Sequence, residues 1–276
     1  VVEQEILASG YLNNRFFRLD LPEKEVNGRA LGERIDMASI KVFQFVGSGT
    51  PYHNEITNVA TYVDSTGFRD WDDIDFADPY TYGYRWKRIE LTLDNLLLDV
   101  DGDLVAIDMR ENVGTSTVLA CTYRVIDDMG NIIAQVGDNP EIVPPEQSIP
   151  GSGNLYYRMK LLKARENQMH PHVFDYVLRN IYSLGSSNID HTTFDFRIEF
   201  NDVVLNFPFV DEMGIDYLHI FGLDRENRQG EPGRDGIADF LDQMLFDLER
   251  GLPKFPLDMP RPFAAGEVAY RNNLDP

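Results

Sequence analysis

The residues best placed to do chemistry lie in Leu223–Phe240, LDRENRQGEPGRDGIADF. Asp224, Asn227, Asp235 and Asp239 supply side-chain oxygens close together in sequence, and Gly230, Gly233 and Gly236 let the backbone curl between them. Hard cations such as calcium take oxygen ligands in this kind of setting, so calcium is the candidate cofactor, and otherwise none is expected. The strict EF-hand spacing is absent. Arg225, Arg228 and Arg234 offer a metal-free alternative, in which guanidinium groups compensate the carboxylates. A second candidate is 68–86, FRDWDDIDFADPYTYGYRW, where aspartates interleave with rings. Trp71, Tyr80, Tyr82 and Trp86 there could stack on sugars in a surface binding module. The plainer reading is a solvated loop whose rings cover the edge of a sheet.

Other constellations are weaker. Asp99–Asp103, DVDGD, reads as a turn whose carboxylates bond their own backbone. His170 and His172 flank a proline and need further ligands before zinc is in question. Gly47-Ser48-Gly49-Thr50 lacks the lysine of a phosphate loop, and neither a GxSxG elbow nor an HExxH helix occurs. Carboxylate pairs for glycoside hydrolysis are recognised by separation in space, which sequence does not give. The expectation is a protein that is not an enzyme.

The chain has 276 residues, 46 acidic against 25 basic, for a net charge of −21. That surface repels nucleic acid and anionic lipid, so neither is an expected partner. At 43% hydrophobic and 12% aromatic, the chain can build a core. Cys121, the single cysteine, sits in the apolar run VLACTY and reads as a buried thiol. The opening VVEQEILASG has no basic start and apolar core, and the expectation is a mature chain or a fragment of a longer one.

These residues need a scaffold, and its periodicity is that of strands. Alternation or apolar runs predict strands at Ser39–Phe45, Val59–Val63, Trp86–Leu93, Leu104–Met109, Val118–Val125, Asn131–Gln135, Leu155–Leu161 and Phe194–Phe200, with strand character near Arg15–Leu19. Asp127-Asp128-Met129-Gly130 reads as a hairpin connection. Val173, Phe174, Val177, Ile181 and Tyr182 recur at helical spacing, which predicts a helix over His172–Tyr182. The expected fold is mainly β, an antiparallel jelly-roll-like β-sandwich with one or two short helices. Its expected organisation is an extended lead-in at 1–38, a sandwich domain at 39–202 with a long loop at 137–153, and an acidic-turn segment at 203–276. Strand, helix and strand in 155–202 should form one packed block.

That block also carries a resemblance. MKLLKA, VLRNIYSLGS and FDFRIEFND resemble soluble segments of the SprA/Sov family, the outer-membrane translocons of type IX secretion and gliding motility. VLACTYRVIDDMGNIIAQVGD before them, and LDRENRQGEPGRDGIADF and KFPLDMPRPFA after them, match in the same order. The resemblance implies a non-catalytic cap or insertion in a protein-translocation channel of the cell envelope, outer membrane-associated and extracellular or periplasm-facing. The implied partners are the rest of a larger barrel chain, a PorV-like barrel protein, a plug protein and secreted protein cargo. One conflict follows. Ile237, Phe240, Leu241, Met244, Leu245 and Leu248 predict a helix over 237–250, whereas the resemblance aligns these residues with two strands and a turn at Gly251.

Overall fold

The computed structural model describes residues 6, 10–19, 21, 33–62, 84–98, 105–141, 147–148, 155–165, 173, 176–198, 200–202, 205–207, 217–227, 231–239 and 245–255. Its described residues are mainly β, in antiparallel and mixed sheets with no closed barrel. The chain divides into two compact units, Asn14–Val177 and a second made of Val1–Asn13 with Leu178–Pro276. The division falls between Val177 and Leu178, inside the block 155–202 expected to be one unit.

The first unit holds β1 (Phe16–Leu19), β2 (Arg34–Ser48), β3 (Glu55–Ile56), β4 (Val59–Tyr62), β5 (Tyr84–Ile89), β6 (Leu96–Leu98), β7 (Val105–Asp108), β8 (Leu119–Ile126), β9 (Ile132–Val136), β10 (Gln147–Ser148) and β11 (Leu155–Lys163). A small sheet runs β1-β7-β6, and a large one runs β10-β11-β8-β2-β5-β3, with β9 on β8 and β4 parallel to β11. The expected strand at Ser39–Phe45 is thus the middle of a longer one. β8 is buried on both faces over Leu119–Tyr123, which is why it reads as an apolar run rather than clean alternation. Val42, Leu119, Cys121 and Tyr123 enter one core cluster with Phe17, Leu19, Val105 and Ile107 of the small sheet. Phe43, Ala120, Trp86, Met159 and Leu161 enter another.

Polar staples shape this unit. Asp36 pairs with Arg124 and Lys41 with Thr122, so Met37 to Ile40 bulge opposite the single Tyr123. The Ser39 hydroxyl holds the bulge, donating to Asp36 O (2.6 Å) and accepting from Arg124 N (2.8 Å). Arg15 grips the buried Asp108 carboxylate through two bonds of 2.7 and 3.0 Å, and Arg110 N donates to the same carboxylate at 2.7 Å. Lys163 is buried with its ammonium donating to the carbonyls of Thr115, Thr117 and Ala164 at 3.3, 3.0 and 3.1 Å. Its three N–H groups match three acceptors.

The helix expected over His172–Tyr182 does not extend beyond Tyr176. Val173 is helical and accepts a bond from Tyr176 N (3.2 Å), but Val177 then bridges Phe17 and Ile181 bridges Lys254. An amphipathic helix leaves one face wet, yet Tyr176 to Tyr182 are all buried, including Arg179 and Asn180. A segment covered on every side takes the extended form that bridges neighbours. Phe174 lies outside the described residues.

The second unit contains β12 (Phe200–Asp202), β13 (Leu205–Phe207), α1 (Tyr217–Ile220), β14 (Phe246–Asp247) and β15 (Leu252–Pro253). The expected strand at Phe194–Phe200 is ladder-bonded only from Phe200, in the pair β12–β13. Its alternation is nevertheless real. Phe194, Phe196 and Ile198 pack on the core, while Asp195 and Arg197 are exposed and paired at 2.7 Å. The helix expected over 237–250 gives way to a hairpin at its C-terminal end, where Phe246 pairs with Pro253 and Asp247 with Leu252. Residues 240–244 lie outside the description. Gly251 has φ +67°, and a Cβ there would run into the Ser186 carbonyl oxygen, so only glycine fits this turn.

The segment Asn180–Ile189 lies along this hairpin. Tyr182 N donates to Pro253 O (3.0 Å), Leu184 N to Gly251 O (2.8 Å), and Asn188 and Ile189 to Glu249 and Leu248. Asn180 and Phe255 clasp each other, Phe255 N to Asn180 O at 2.8 Å and Asn180 Nδ2 to Phe255 O at 2.7 Å. The core beneath is aromatic, with Tyr182 edge-on to Phe255 and Phe196 edge-on to Phe246, both at 5.3 Å between centroids. No helix of the described residues is long and apolar enough to cross a membrane.

Candidate functional site

The acidic loop begins where α1 ends. Leu223 N bonds Leu218 O (2.8 Å) and Gly222 N bonds His219 O (3.0 Å), with Gly222 at φ +69°, a Schellman ending. This delivers Asp224 into the interior, fully buried. Its Oδ1 accepts Asp235 N at 3.1 Å and its Oδ2 accepts Gly236 N at 2.9 Å. From the other end of the loop, Asp239 Oδ2 accepts Arg225 N at 2.7 Å and Glu226 N at 3.3 Å. Each end of the loop therefore caps backbone N–H groups of the other. Asp239 N to Leu223 O (2.9 Å) and Gly233 N to Arg225 O (2.9 Å) close it further.

The four expected calcium ligands are thus gathered in one loop but individually engaged. Asn227 Oδ1 accepts Glu231 N at 3.1 Å, and the exposed Asp235 accepts Ile237 N at 3.0 Å. Among the described residues, no three His, Cys, Asp or Glu side chains are grouped to hold a metal ion. Of the arginines in the metal-free alternative, Arg225 donates from Nε to Gly222 O at 2.9 Å, and Arg228 lies outside the described residues. Among the described residues, backbone amides donate to the Asp224 and Asp239 carboxylates. The Asp239 carboxyl is pushed above its ordinary value, chiefly by burial and also by the charges of Asp224 and Glu226, against the lowering effect of its two amide donors.

Of the proposed sugar-stacking rings, Trp71, Tyr80 and Tyr82 lie outside the described residues. Trp86 is fully buried in the core with Phe43 and Met159, so it offers no ring face at the surface. Among the described residues, its buried indole Nε1 has no hydrogen-bond partner. An exposed ring that does lie beside the same strand, β5, is Tyr52, with the Arg85 guanidinium 5.2 Å from its centroid. Glu55 ties the two, accepting Tyr52 N at 3.0 Å and pairing with Arg85 at 3.2 Å. Sequence reading passed over Tyr52 because it stands among turn residues rather than in the aromatic run. His170, His172 and the Asp99–Asp103 turn lie outside the description.

Carboxylates bonding backbone amides recur elsewhere. Asp127 accepts from Met129 N (2.9 Å) and Asn131 N (2.8 Å) in the β8–β9 turn, which forms where expected. The Asn131 side-chain amide and its backbone N–H hold the Asp127 carboxyl below its ordinary value. Asp190 is likewise lowered, first by the Thr192 N–H and then by its hydroxyl. Asp138 pairs with Arg158 and accepts its N–H at 2.8 Å. The recurring use of acids in this molecule is to fasten turns. The chain matches no protein-family model, and no curated protein matches it.

Proposed function

We propose that the chain is a non-catalytic cap or insertion segment of an outer-membrane protein-translocation channel of the type IX secretion and gliding-motility kind. One observation carries the reading. Several of the runs that bear the resemblance, distant in sequence, lie together in one unit: IYSLG runs along the Gly251–Phe255 edge, and the acidic DG loop closes beside the same aromatic core, while MKLLKA and VLACTYRVIDDMGNIIAQVGD belong to the other unit. Segments required together to build a unit are what a resemblance in order and spacing should preserve. The many carboxylates bound to backbone amides suit a structural insertion better than general acid–base work, which needs acids poised toward a substrate.

The fold goes with this reading. The first unit is a β-sandwich in which the β1-β7-β6 sheet packs over one face of the large sheet, supported by the core cluster drawn from both. Calcium at the 224–239 loop is the cofactor of the proposal. A cation beside Asp239 would relieve the crowding of its carboxyl by Asp224 and Glu226. The channel's barrel chain, a PorV-like protein, a plug protein and folded cargo are the partners proposed. Reading the coding sequence onward tests the proposal. It predicts a long series of alternating membrane strands of roughly ten residues each. A catalytic domain or a stop codon in their place contradicts it.

A further inference from the structure

The turn between β2 and β3 holds one aromatic ring in water and fixes it there. Tyr52 is 70% exposed, yet both its main chain and its ring are fastened. Glu55 Oε2 accepts Tyr52 N at 3.0 Å, and Glu55 N donates to Tyr52 O at 3.0 Å. The same carboxylate oxygen accepts Arg85 Nη1 at 3.2 Å, and the Arg85 guanidinium lies 5.2 Å from the Tyr52 ring centroid. A carboxylate and a guanidinium thus hold a ring that stays in solvent, which core packing does not require. The register of the sheet then sets polar groups beside it. Gln44 of β2 and Glu55 of β3 each lie directly opposite Lys87 of β5, so the three side chains form one row on one face. Arg85 precedes Lys87 by two residues on the same strand and shares that face. Lys87 is exposed and Gln44 half-buried, so both reach solvent next to the pinned ring.

We infer that Tyr52, Lys87 and Gln44 form a binding site for a neutral sugar. The C–H-bearing face of a pyranose stacks on the Tyr52 ring, whose other contact is the Arg85 guanidinium. The Lys87 ammonium donates to hydroxyl oxygens, the Gln44 amide both donates and accepts, and the Glu55 carboxylate accepts through Oε1. A hydroxyl group, which donates and accepts, answers all three; a phosphate lacks the donors that the Glu55 and Gln44 oxygens need. Glu55 also offsets one of the two cations, and the whole chain carries −21, so an anionic ligand is disfavoured. Fixing the ring beforehand removes the ordering cost of stacking on a free tyrosine. The inference does not rest on the translocation reading, since it uses only the β2–β5–β3 face.

The test uses the whole chain and saturation-transfer NMR titrations with the methyl glycosides of glucose, galactose and mannose, and with adenosine monophosphate as an anionic, ring-bearing control. At least one glycoside should saturate with a Kd below about 10 mM, and transfer should be strongest to the C–H groups of one pyranose face. Tyr52→Ala should weaken that binding roughly tenfold or more, whereas Tyr52→Trp, which keeps a stacking ring, should retain it. Lys87→Met should weaken it about threefold or more by removing the ammonium donor. Tyr52 and Lys87 are exposed, so urea midpoints of these variants should match the wild type and separate lost binding from lost folding. No glycoside saturating below about 10 mM, full binding by Tyr52→Ala, or saturation by the nucleotide alone overturns the inference.

Discussion

Replacing Asp224 with alanine removes the carboxylate that receives the amides of Asp235 and Gly236 in a fully buried position. A hydrogen bond to a charged group contributes roughly 1.5–3 kcal/mol, and each amide stripped of its acceptor is left buried or must open to water. With two such bonds, Asp224→Ala should cost the second unit about 3–5 kcal/mol. Asp224→Asn keeps one acceptor oxygen and turns an amide NH2, a second donor, toward the other N–H, so it should cost about half as much. Urea unfolding by circular dichroism gives the stability. Hydrogen exchange at the Asp235 and Gly236 amides shows whether those particular bonds were lost. A loss under about 1 kcal/mol for Asp224→Ala, with both amides still protected, would refute the reciprocal staple as the loop's support.

Further tests reach other parts of the molecule. Gly251→Ala should cost at least about 2 kcal/mol and perturb the Asn180–Ile189 segment, because φ +67° is strained for alanine and its Cβ meets the Ser186 carbonyl; thermal unfolding reads the cost. Asp108→Asn should cost about 3–5 kcal/mol by leaving Arg15 without its buried counter-charge, and Asp108→Asn combined with Arg15→Met should recover part of that in a double-mutant cycle. Asp239 has a folded-state pKa above its unfolded value, so its contribution is fully present below the unfolded pKa and is lost as pH rises through the folded one. Wild type should therefore lose stability relative to Asp239→Asn between acid and neutral pH, checked by urea midpoints across that range. Calcium binding at the loop predicts that metal-stripped protein melts at a higher temperature with calcium than with chelator, and that Asp235→Ala abolishes the difference; superimposed curves retire the site.

Strands showed plainly in the sequence where a long apolar run met a turn signal. β8 and β9 joined through Asp127–Gly130 are the clearest instance, with Gly130 at φ +82° as such a turn requires. The failures share a cause. Tyr176–Tyr182 and Leu245–Leu248 have helical apolar spacing, but burial on all sides in the first case and the Gly251 turn in the second make the neighbouring backbone, not the periodicity, decisive. Phe194–Ile198 shows the reverse, since its side chains alternate in and out without a ladder. At the candidate site, composition located the acids and glycines of 224–239 but not their acceptor role, because the groups they bind are main-chain amides that every sequence contains. Trp86 looked like a binding ring for its neighbours in sequence, and its position on the inward side of β5 put it in the core.

The central claim is that this chain is a structural segment of a translocation channel, and it can be tested in the full-length protein in its own cells. Asp224→Ala and Gly251→Ala are introduced together to unmake the second unit, and two quantities are measured: the amount of the chain in the outer membrane and the amount of cargo protein in the medium. The account predicts that the chain still reaches the outer membrane while cargo secretion falls to background. Secretion at the unaltered level, with the second unit shown to be unfolded, would contradict it.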